Sequence, residues 1–191
     1  MAEHGLFTED RGMSIDMFVE PEADPRIDPP AMADERTTLV GFLRWQRDTF
    51  ELKCSGLDAA GLARRGVEPS SMSLLGLVRH LAGVERAWFR GVMAGQDAPP
   101  IYSTKADPDG DFTGAVPDDE VVAQAWETWR AEIAFTDRFV AEAPDLDVTG
   151  HEAWRGAMSL RWVLIHLIEE YARHNGHADL LRERVDGAVG Q

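Results

Sequence analysis

Apolar residues recur every three or four positions along four long stretches of this chain, and that spacing predicts four amphipathic helices. In the second stretch Leu74, Leu77 and Leu81 form the centre of one apolar stripe. The four stretches run approximately from residue 34 to 54, from 71 or 73 to 94, from 117 to 143, and from 160 to 184.

The residues that flank these stretches are typical of helix ends. Acidic or hydroxyl side chains stand at the start of the first, second and fourth stretches and can accept hydrogen bonds from the first free backbone N–H groups. Glycine or proline follows each stretch. The candidate N-caps are Asp34, Ser71 or Ser73, and Ser159, and the residues that end the helices are Gly56, Gly95, Pro144 and Gly187. The third stretch opens at Pro117-Asp118-Asp119-Glu120, where the helix dipole favours acidic side chains.

The segments between and before the helices show no convincing strand. Residues 1–33 lack a sustained period, and the proline-rich, acidic residues 20–30 should be extended. Residues 1–33 are expected to form a loosely held arm. The alternative is that their apolar patch at residues 13–19 docks on the body or on a partner subunit. The chain is therefore predicted to be all-α, with an extended arm at 1–33, a four-helix bundle at 34–187 and a tail at 188–191.

Charge and composition exclude several classes of function. The formal net charge of −15 over 191 residues argues against binding to nucleic acid phosphates or to an anionic membrane surface. No apolar run approaches the roughly 20 residues that span a bilayer. The N-terminus lacks the features of a secretion signal, and the single cysteine, Cys54, cannot form an internal disulfide. A cytoplasmic protein is expected.

The last predicted helix carries the clearest candidate chemistry. Glu170 and His174 are four residues apart on its apolar side, so their side chains lie on one face. An ionised glutamate there is costly unless it is paired or binds a cation. His80, in the second helix beside an apolar stripe, is the natural third ligand. Two histidines and one glutamate favour Zn²⁺ with an open fourth position, and Fe²⁺ or Ni²⁺ also suit this set.

The residues alone leave simpler interpretations open. A histidine such as His80 is often a hydrogen-bonded core residue, and an E-x-x-x-H spacing arises readily by chance. Glu170 and His174 can also form an ordinary hydrogen-bonded pair. His166 and His177 lie near the boundary of the apolar face, where a supporting role is expected. The remaining histidines, His4 and His151, lie outside the predicted helices.

Two segments resemble a known family. Residues 71–89, SMSLLGLVRHLAGVERAWF, and the histidine-rich residues 159–187 resemble the DinB/YfiT-like superfamily, and most closely its mini-circle-type branch. The resemblance implies a four-helix bundle, often a homodimer, with a divalent metal held by one histidine of the second helix and two residues four apart in the last. His80, Glu170 and His174 match those positions.

The glutamate at position 170 stands where many members have a third histidine. A ligand set with glutamate at this position resembles that of mycothiol-dependent maleylpyruvate isomerase, whose zinc has two histidines and one glutamate. The N-terminal domain of that isomerase is related to this chain. The additional C-terminal domain of that isomerase has no counterpart here, so its isomerase activity is not expected to carry over. The superfamily's link to DNA damage gains no support from the acidic charge.

The resemblance leads to three functional hypotheses. The first is a metal-dependent enzyme that acts on a small-molecule substrate through a low-molecular-weight thiol of the mycothiol type, by transfer or isomerisation. The alternatives are a metal-dependent hydrolase and a non-catalytic binding or stress protein in which the metal joins two helices. Substrate should enter beneath the long loop at residues 96–116, with Tyr102, Arg161 and Arg173 as candidate anchors for a carboxylate.

Overall fold

Four long helices form the body of the protein, and two short helices lie in the connections between them. The computed structural model describes residues 24–190. In chain order the helices are α1 (Glu35–Cys54), α2 (Ala59–Ala63), α3 (Leu74–Glu85), α4 (Gly110–Thr113), α5 (Asp119–Glu142) and α6 (Leu160–Val185). The predicted all-α bundle is confirmed. Within the described residues no helix is long and apolar enough to cross a membrane.

Side-chain caps determine where the long helices begin, as the sequence predicts. Asp34 accepts a hydrogen bond from the Thr37 backbone N–H at 2.9 Å. Ser73, rather than Ser71, caps α3, and its Oγ lies 3.1 Å from the backbone nitrogen of Gly76. Asp118 and Ser159 cap α5 and α6 in the same way. Each cap satisfies a backbone donor that the first helical turn leaves without a partner.

The long helices bury their apolar faces against one another around a single core. α1 packs chiefly against α6, α3 packs against α5, and α3 and α6 also meet across the centre. The most deeply buried side chains are leucines and aromatic residues from all four helices, among them Phe50, Leu77, Leu81, Phe89, Trp129, Leu167 and Tyr171. This arrangement brings α3 and α6, which carry the candidate ligands, directly together.

A buried ion pair connects all four helices near the middle of this core. Glu85 of α3 is fully buried and accepts two hydrogen bonds from the guanidinium of Arg47 on α1, at 2.8 and 2.9 Å. Thr136 of α5 donates to the same carboxylate at 2.7 Å, and Tyr171 of α6 donates at 2.9 Å. Burial raises the pKa of Tyr171, which keeps its hydroxyl protonated as the donor.

The second long helix is not uniform. The sequence predicts one helix from residue 71 or 73 to 94, but α3 ends at Glu85 and the chain continues as a π-helical segment, Arg86–Met93. This π segment carries Trp88 and Arg86 next to the candidate site. π-Helical turns have no reliable sequence signature, and they are frequent near functional sites.

A β-hairpin occupies part of the segment that was expected to be a loop. Strands β1 (Thr149–Glu152) and β2 (Gly156–Ser159) pair antiparallel, so the expectation of no strand is wrong here. A side chain at Gly150 would overlap the carbonyl of Val92, so only glycine lets the hairpin pack against the π segment. Tertiary packing therefore selects strands that are too short to show an alternating pattern.

The described part of the N-terminal arm packs on α1. Residues 24–33 form no helix or strand. The guanidinium of Arg26 lies 4.4 Å from the ring centre of Trp45 and donates a hydrogen bond to Thr49. Pro30 lies so close to Gly41 that a Cβ there would be 2.9 Å from the proline ring. The apolar patch at residues 13–19 lies outside the described residues.

Candidate metal centre

Helix α6 places Glu170 and His174 side by side at the edge of the core. Their four-residue spacing brings Oε2 of Glu170 to 3.4 Å from Nε2 of His174. His174 is buried, and the side chain of Glu170 is 15% exposed. Neighbouring apolar positions of α6, such as Leu167 and Tyr171, anchor this face of the helix in the core.

His80 of α3 reaches the same point from the facing helix. Its ring centre lies 4.8 Å from that of His174. His80, Glu170 and His174 each offer one ligand atom, and the three atoms lie within 4.8 Å of one another. The structure thus brings together the three residues that the sequence singles out. This spacing leaves room for one ion between the three ligand atoms, and small movements of the side chains would bring each atom to the roughly 2.0–2.2 Å of a zinc ligand.

Both imidazole rings are oriented by contacts at their Nδ1 atoms. Nδ1 of His80 lies 3.1 Å from Oδ2 of Asp111, and Nδ1 of His174 lies 3.2 Å from Nδ1 of His177. These contacts leave Nε2 of each ring to ligate. Metal-binding histidines usually engage their second nitrogen in this way, because the contact fixes the tautomer and the ring orientation.

Asp111 is the residue of the site that the sequence did not reveal. It belongs to α4, within the loop predicted at residues 96–116. Arg79 of α3 holds this turn by donating hydrogen bonds to the carbonyls of Gly110 and Asp111, at 3.0 and 2.9 Å. The aspartate is one of several in a punctuated loop, so only the tertiary structure distinguishes it from Asp107 and Asp109.

The electrostatic surroundings keep His174 able to act as a ligand. Burial, followed by the nearby His80, His177 and Arg173, lowers the pKa of His174 to about 4. The ring is therefore neutral at neutral pH, which is the form that binds a metal. Glu170 makes no hydrogen bond among the described residues and has only longer contacts, which include Arg173 Nη1 at 3.6 Å.

The other histidines take different places. His166 is stacked on Trp162, and its Nε2 lies 3.8 Å from Oε1 of Glu170. His177 contacts the side of His174 that faces away from Glu170. His151 is exposed on β1, and His4 lies outside the described residues. His166 and His177 therefore border the three-residue cluster without being part of it.

A cleft of about 250 Å³ opens beside His80 and Asp111, under the loop where substrate entry is expected. It is lined by His80, Gly83, Val84, Arg86, Ala87, Trp88, Ala98, Pro99, Pro100, Ile101, Ser103 and Asp111. Arg86 fixes one wall of the cleft because it donates to the carbonyl of Pro99 at 3.0 Å. The cleft gives a small molecule access to the side of the site formed by α3.

The three candidate carboxylate anchors, Tyr102, Arg161 and Arg173, lie in different parts of the structure. Arg173 lies at the site, next to Glu170. Arg161 lies twelve residues before Arg173 on α6, about 18 Å along the helix axis, where it pairs with Glu35 and Asp147. The guanidinium of Arg79 covers the ring of Tyr102 at 3.9 Å. The structure therefore does not bring these three residues together.

A larger groove, of about 740 Å³, runs between α1 and α5 and reaches none of the three candidate ligands. Several of the charged side chains along it are paired with each other. Arg130 contacts Glu51 at 2.6 Å, and Arg47 binds Asp137 at 2.9 Å in addition to Glu85. This groove offers apolar surface but no converging reactive groups.

Comparison with known families identifies the chain. A family model described as mycothiol-S-transferase matches residues 38–187. The chain belongs to the mycothiol-S-transferase family. This membership agrees with the resemblance to the DinB/YfiT-like superfamily, and it covers the four long helices from the first turn of α1 to the end of α6. No curated protein matches the chain. Membership in the mycothiol-S-transferase family points to an enzyme with a small-molecule thiol substrate.

Proposed function

We propose that this protein is a metal-dependent S-transferase for a mycothiol-type thiol, with one divalent ion held by His80, Glu170 and His174. The convergence of these three ligand atoms is the observation that carries the proposal. Two imidazoles and one carboxylate favour Zn²⁺, while Fe²⁺ or Ni²⁺ also fit the donor set. When bound, such an ion supplies Lewis acidity that lowers the pKa of a coordinated thiol.

The residues around the ligands support this assignment. Asp111 and His177 orient the two imidazoles, and burial keeps His174 neutral. Arg173 lies at the solvent side of Glu170, where it can bind a negatively charged group of a substrate. No further protein ligand completes the cluster among the described residues. The fourth position is therefore assigned to the thiol.

The lack of a fourth protein ligand among the described residues weighs against a purely structural metal. A metal that only joins two helices is usually closed by four protein ligands. His166 and His177 are the available candidates. His177 faces the far nitrogen of His174, and His166 is packed against Trp88 and Trp162. Both geometries favour an open site. A thiol-independent hydrolase would use the same site, with water in the fourth position.

Cobalt substitution provides the test. Co²⁺ replaces Zn²⁺ in tetrahedral sites and gives a sulfur-to-metal charge-transfer band when a thiolate binds. We expect mycothiol to produce this band in the Co²⁺-loaded protein, and the Glu170→Gln and His174→Ala variants to lack it. Hydrolysis of an activated ester without thiol, combined with no such band, would instead favour the hydrolase.

We further propose that the protein is a homodimer, as the superfamily resemblance suggests. Sedimentation velocity would measure this directly. A single species with the mass of one 21.2 kDa chain at micromolar concentration would contradict it.

A further inference from the structure

An aromatic surface lies next to the proposed metal centre and is not used by the three ligands. On α6, Trp162 and His166 continue the four-residue spacing of Glu170 and His174, so all four side chains follow one face of the helix. Trp88 of the π segment faces them, with its ring centre 4.7 Å from that of His166 and 5.5 Å from that of Trp162.

The hairpin extends this surface beyond the end of α6. Trp154, in the turn between β1 and β2, is 72% exposed, and Trp162 is 37% exposed. The guanidinium of Arg155 lies over both rings, 4.2 Å from the ring centre of Trp154 and 5.4 Å from that of Trp162. We call Trp88, Trp154, Trp162, Arg155 and His166 the aromatic platform. Exposed indole faces held in place by neighbours are typical of ligand-binding surfaces.

The polar groups at the platform indicate the kind of ligand. Arg155 Nε lies 3.5 Å from Oε2 of Glu152, so the charges there are balanced. That Oε2 atom is buried and has no hydrogen-bond partner in the described protein. A buried acceptor without a donor is costly. The Glu152 side chain as a whole is 26% exposed, so a small rotation of its carboxylate would let a ligand hydroxyl donate to it. An acceptor beside a paired cation suits a neutral hydroxylated ring better than an anion.

The position of the platform matches a ligand that is anchored at the metal centre. Trp162 precedes Glu170 by eight residues, about 12 Å along the helix axis. Mycothiol carries two linked six-membered rings, a glucosamine and an inositol, attached to its cysteinyl group. If its sulfur lies between Glu170 and His174, these rings can extend along α6 to Trp162.

We propose that the aromatic platform binds the sugar and inositol rings of the thiol, with their C–H faces against the exposed parts of Trp154 and Trp162 and a hydroxyl donating to Glu152. This inference rests on the proposed function, because the sulfur must be held at the metal centre. The platform then determines which thiol is used. A thiol with the same sulfur group and no rings would lose the contact.

The test compares mycothiol with N-acetylcysteine, which has the sulfur end alone, on the Co²⁺-loaded protein. Titration of the charge-transfer band gives a dissociation constant for each thiol. In the Trp162→Leu and Trp154→Ala variants we expect mycothiol to bind about fivefold more weakly, while N-acetylcysteine is unaffected. Leu180→Ala is the control, because Leu180 is exposed on α6 beyond the metal ligands and should change neither constant.

The outcomes separate the two proposals. Absence of the band with both thiols would contradict the proposed function itself. A band with both thiols, and an unchanged preference for mycothiol in both tryptophan variants, would overturn only the platform. A planar anion, 2-naphthoate, tests the competing ligand class. The platform assignment is also overturned if 2-naphthoate binds the wild type, fails to bind Arg155→Gln, and leaves mycothiol binding unchanged.

Discussion

Glu85 and Glu170 are both glutamates at the inner side of the bundle, yet their surroundings differ in kind. Glu85 is fully buried and accepts four hydrogen bonds, from Arg47, Thr136 and Tyr171. Glu170 accepts none among the described residues. Its neighbours His174, Arg173 and His166 stay at 3.4, 3.6 and 3.8 Å.

The difference separates a structural cluster from a binding cluster. A buried carboxylate whose partners are all in the protein is stable without a ligand and fixes the packing of the helices around it. Donor atoms that converge without bonding to one another remain unsatisfied until something binds between them. Burial and charge alone would have suggested Glu85 as the metal ligand. The convergence of ligand atoms that do not bond to one another identifies Glu170 as the better candidate.

The largest expected effect is on stability, from Glu85→Ala. Removing this carboxylate leaves the buried guanidinium of Arg47 without its main partner, which should lower the free energy of unfolding by about 3–5 kcal/mol. Urea unfolding of the metal-free protein measures it. Glu170→Ala is the matched control and should cost less than about 1 kcal/mol. Equal losses in the two variants would break the comparison between the clusters.

A second prediction concerns the candidate metal site, which is the binding cluster of this comparison. Asp111→Asn should weaken metal affinity by about 10–100-fold, because the ring of His80 loses the carboxylate that orients it. Competition with a chromophoric chelator gives the affinity. Asp109→Asn, two positions earlier in the same turn, should leave it unchanged. An Asp111 variant with wild-type affinity would remove Asp111 from the site.

The third prediction concerns pH. The pKa of His174 is about 4 in the folded chain, and a histidine in the unfolded chain titrates near 6.5. Above pH 6.5 the ring is neutral in both states and contributes no pH dependence. Between pH 6.5 and 4 the unfolded state alone takes up the proton, so the stability of the metal-free protein should fall as the pH is lowered.

Chemical unfolding at a series of pH values measures this loss. His174→Gln should show a smaller decrease between pH 6.5 and 4 than the wild type. The exposed His151 supplies the control, because His151→Gln should retain the full decrease. Identical pH profiles for the wild type and the His174 variant would contradict the assigned shift.

The smallest expected effect tests the completeness of the Glu85 cluster. Thr136→Val keeps the volume of the side chain and removes one hydrogen bond to the carboxylate. It should cost about 1 kcal/mol of unfolding free energy. Thr128→Val removes a hydrogen bond to the Gln124 carbonyl on the exposed side of α5, and its cost should stay within about 0.5 kcal/mol. A loss below that of Thr128→Val would show that Glu85 does not need this donor.

Local sequence signals predict the long helices well because their ends depend on nearby residues. Asp34 and Ser159 form the expected caps, and each hydrogen bond joins residues three positions apart. Glu170 and His174 follow from the same local reasoning, since helical geometry alone places them together.

The remaining features depend on contacts between distant parts of the chain. The hairpin is selected by its packing against the π segment, through Gly150 and Val92. Asp111 becomes relevant only because α4 folds back onto His80. The ion pair between Arg47 of α1 and Glu85 of α3 joins residues that are 38 positions apart in the sequence. Patterns of three to four residues carry no information about such contacts.

Metal content tests the central claim most directly. Elemental analysis of purified protein should find about one divalent ion per chain in the wild type and in His166→Ala. His80→Ala and His174→Ala should each lose nearly all of it, with helical content unchanged by circular dichroism. Full retention of the ion in the His174 variant would contradict the assignment of His80, Glu170 and His174 as the metal centre.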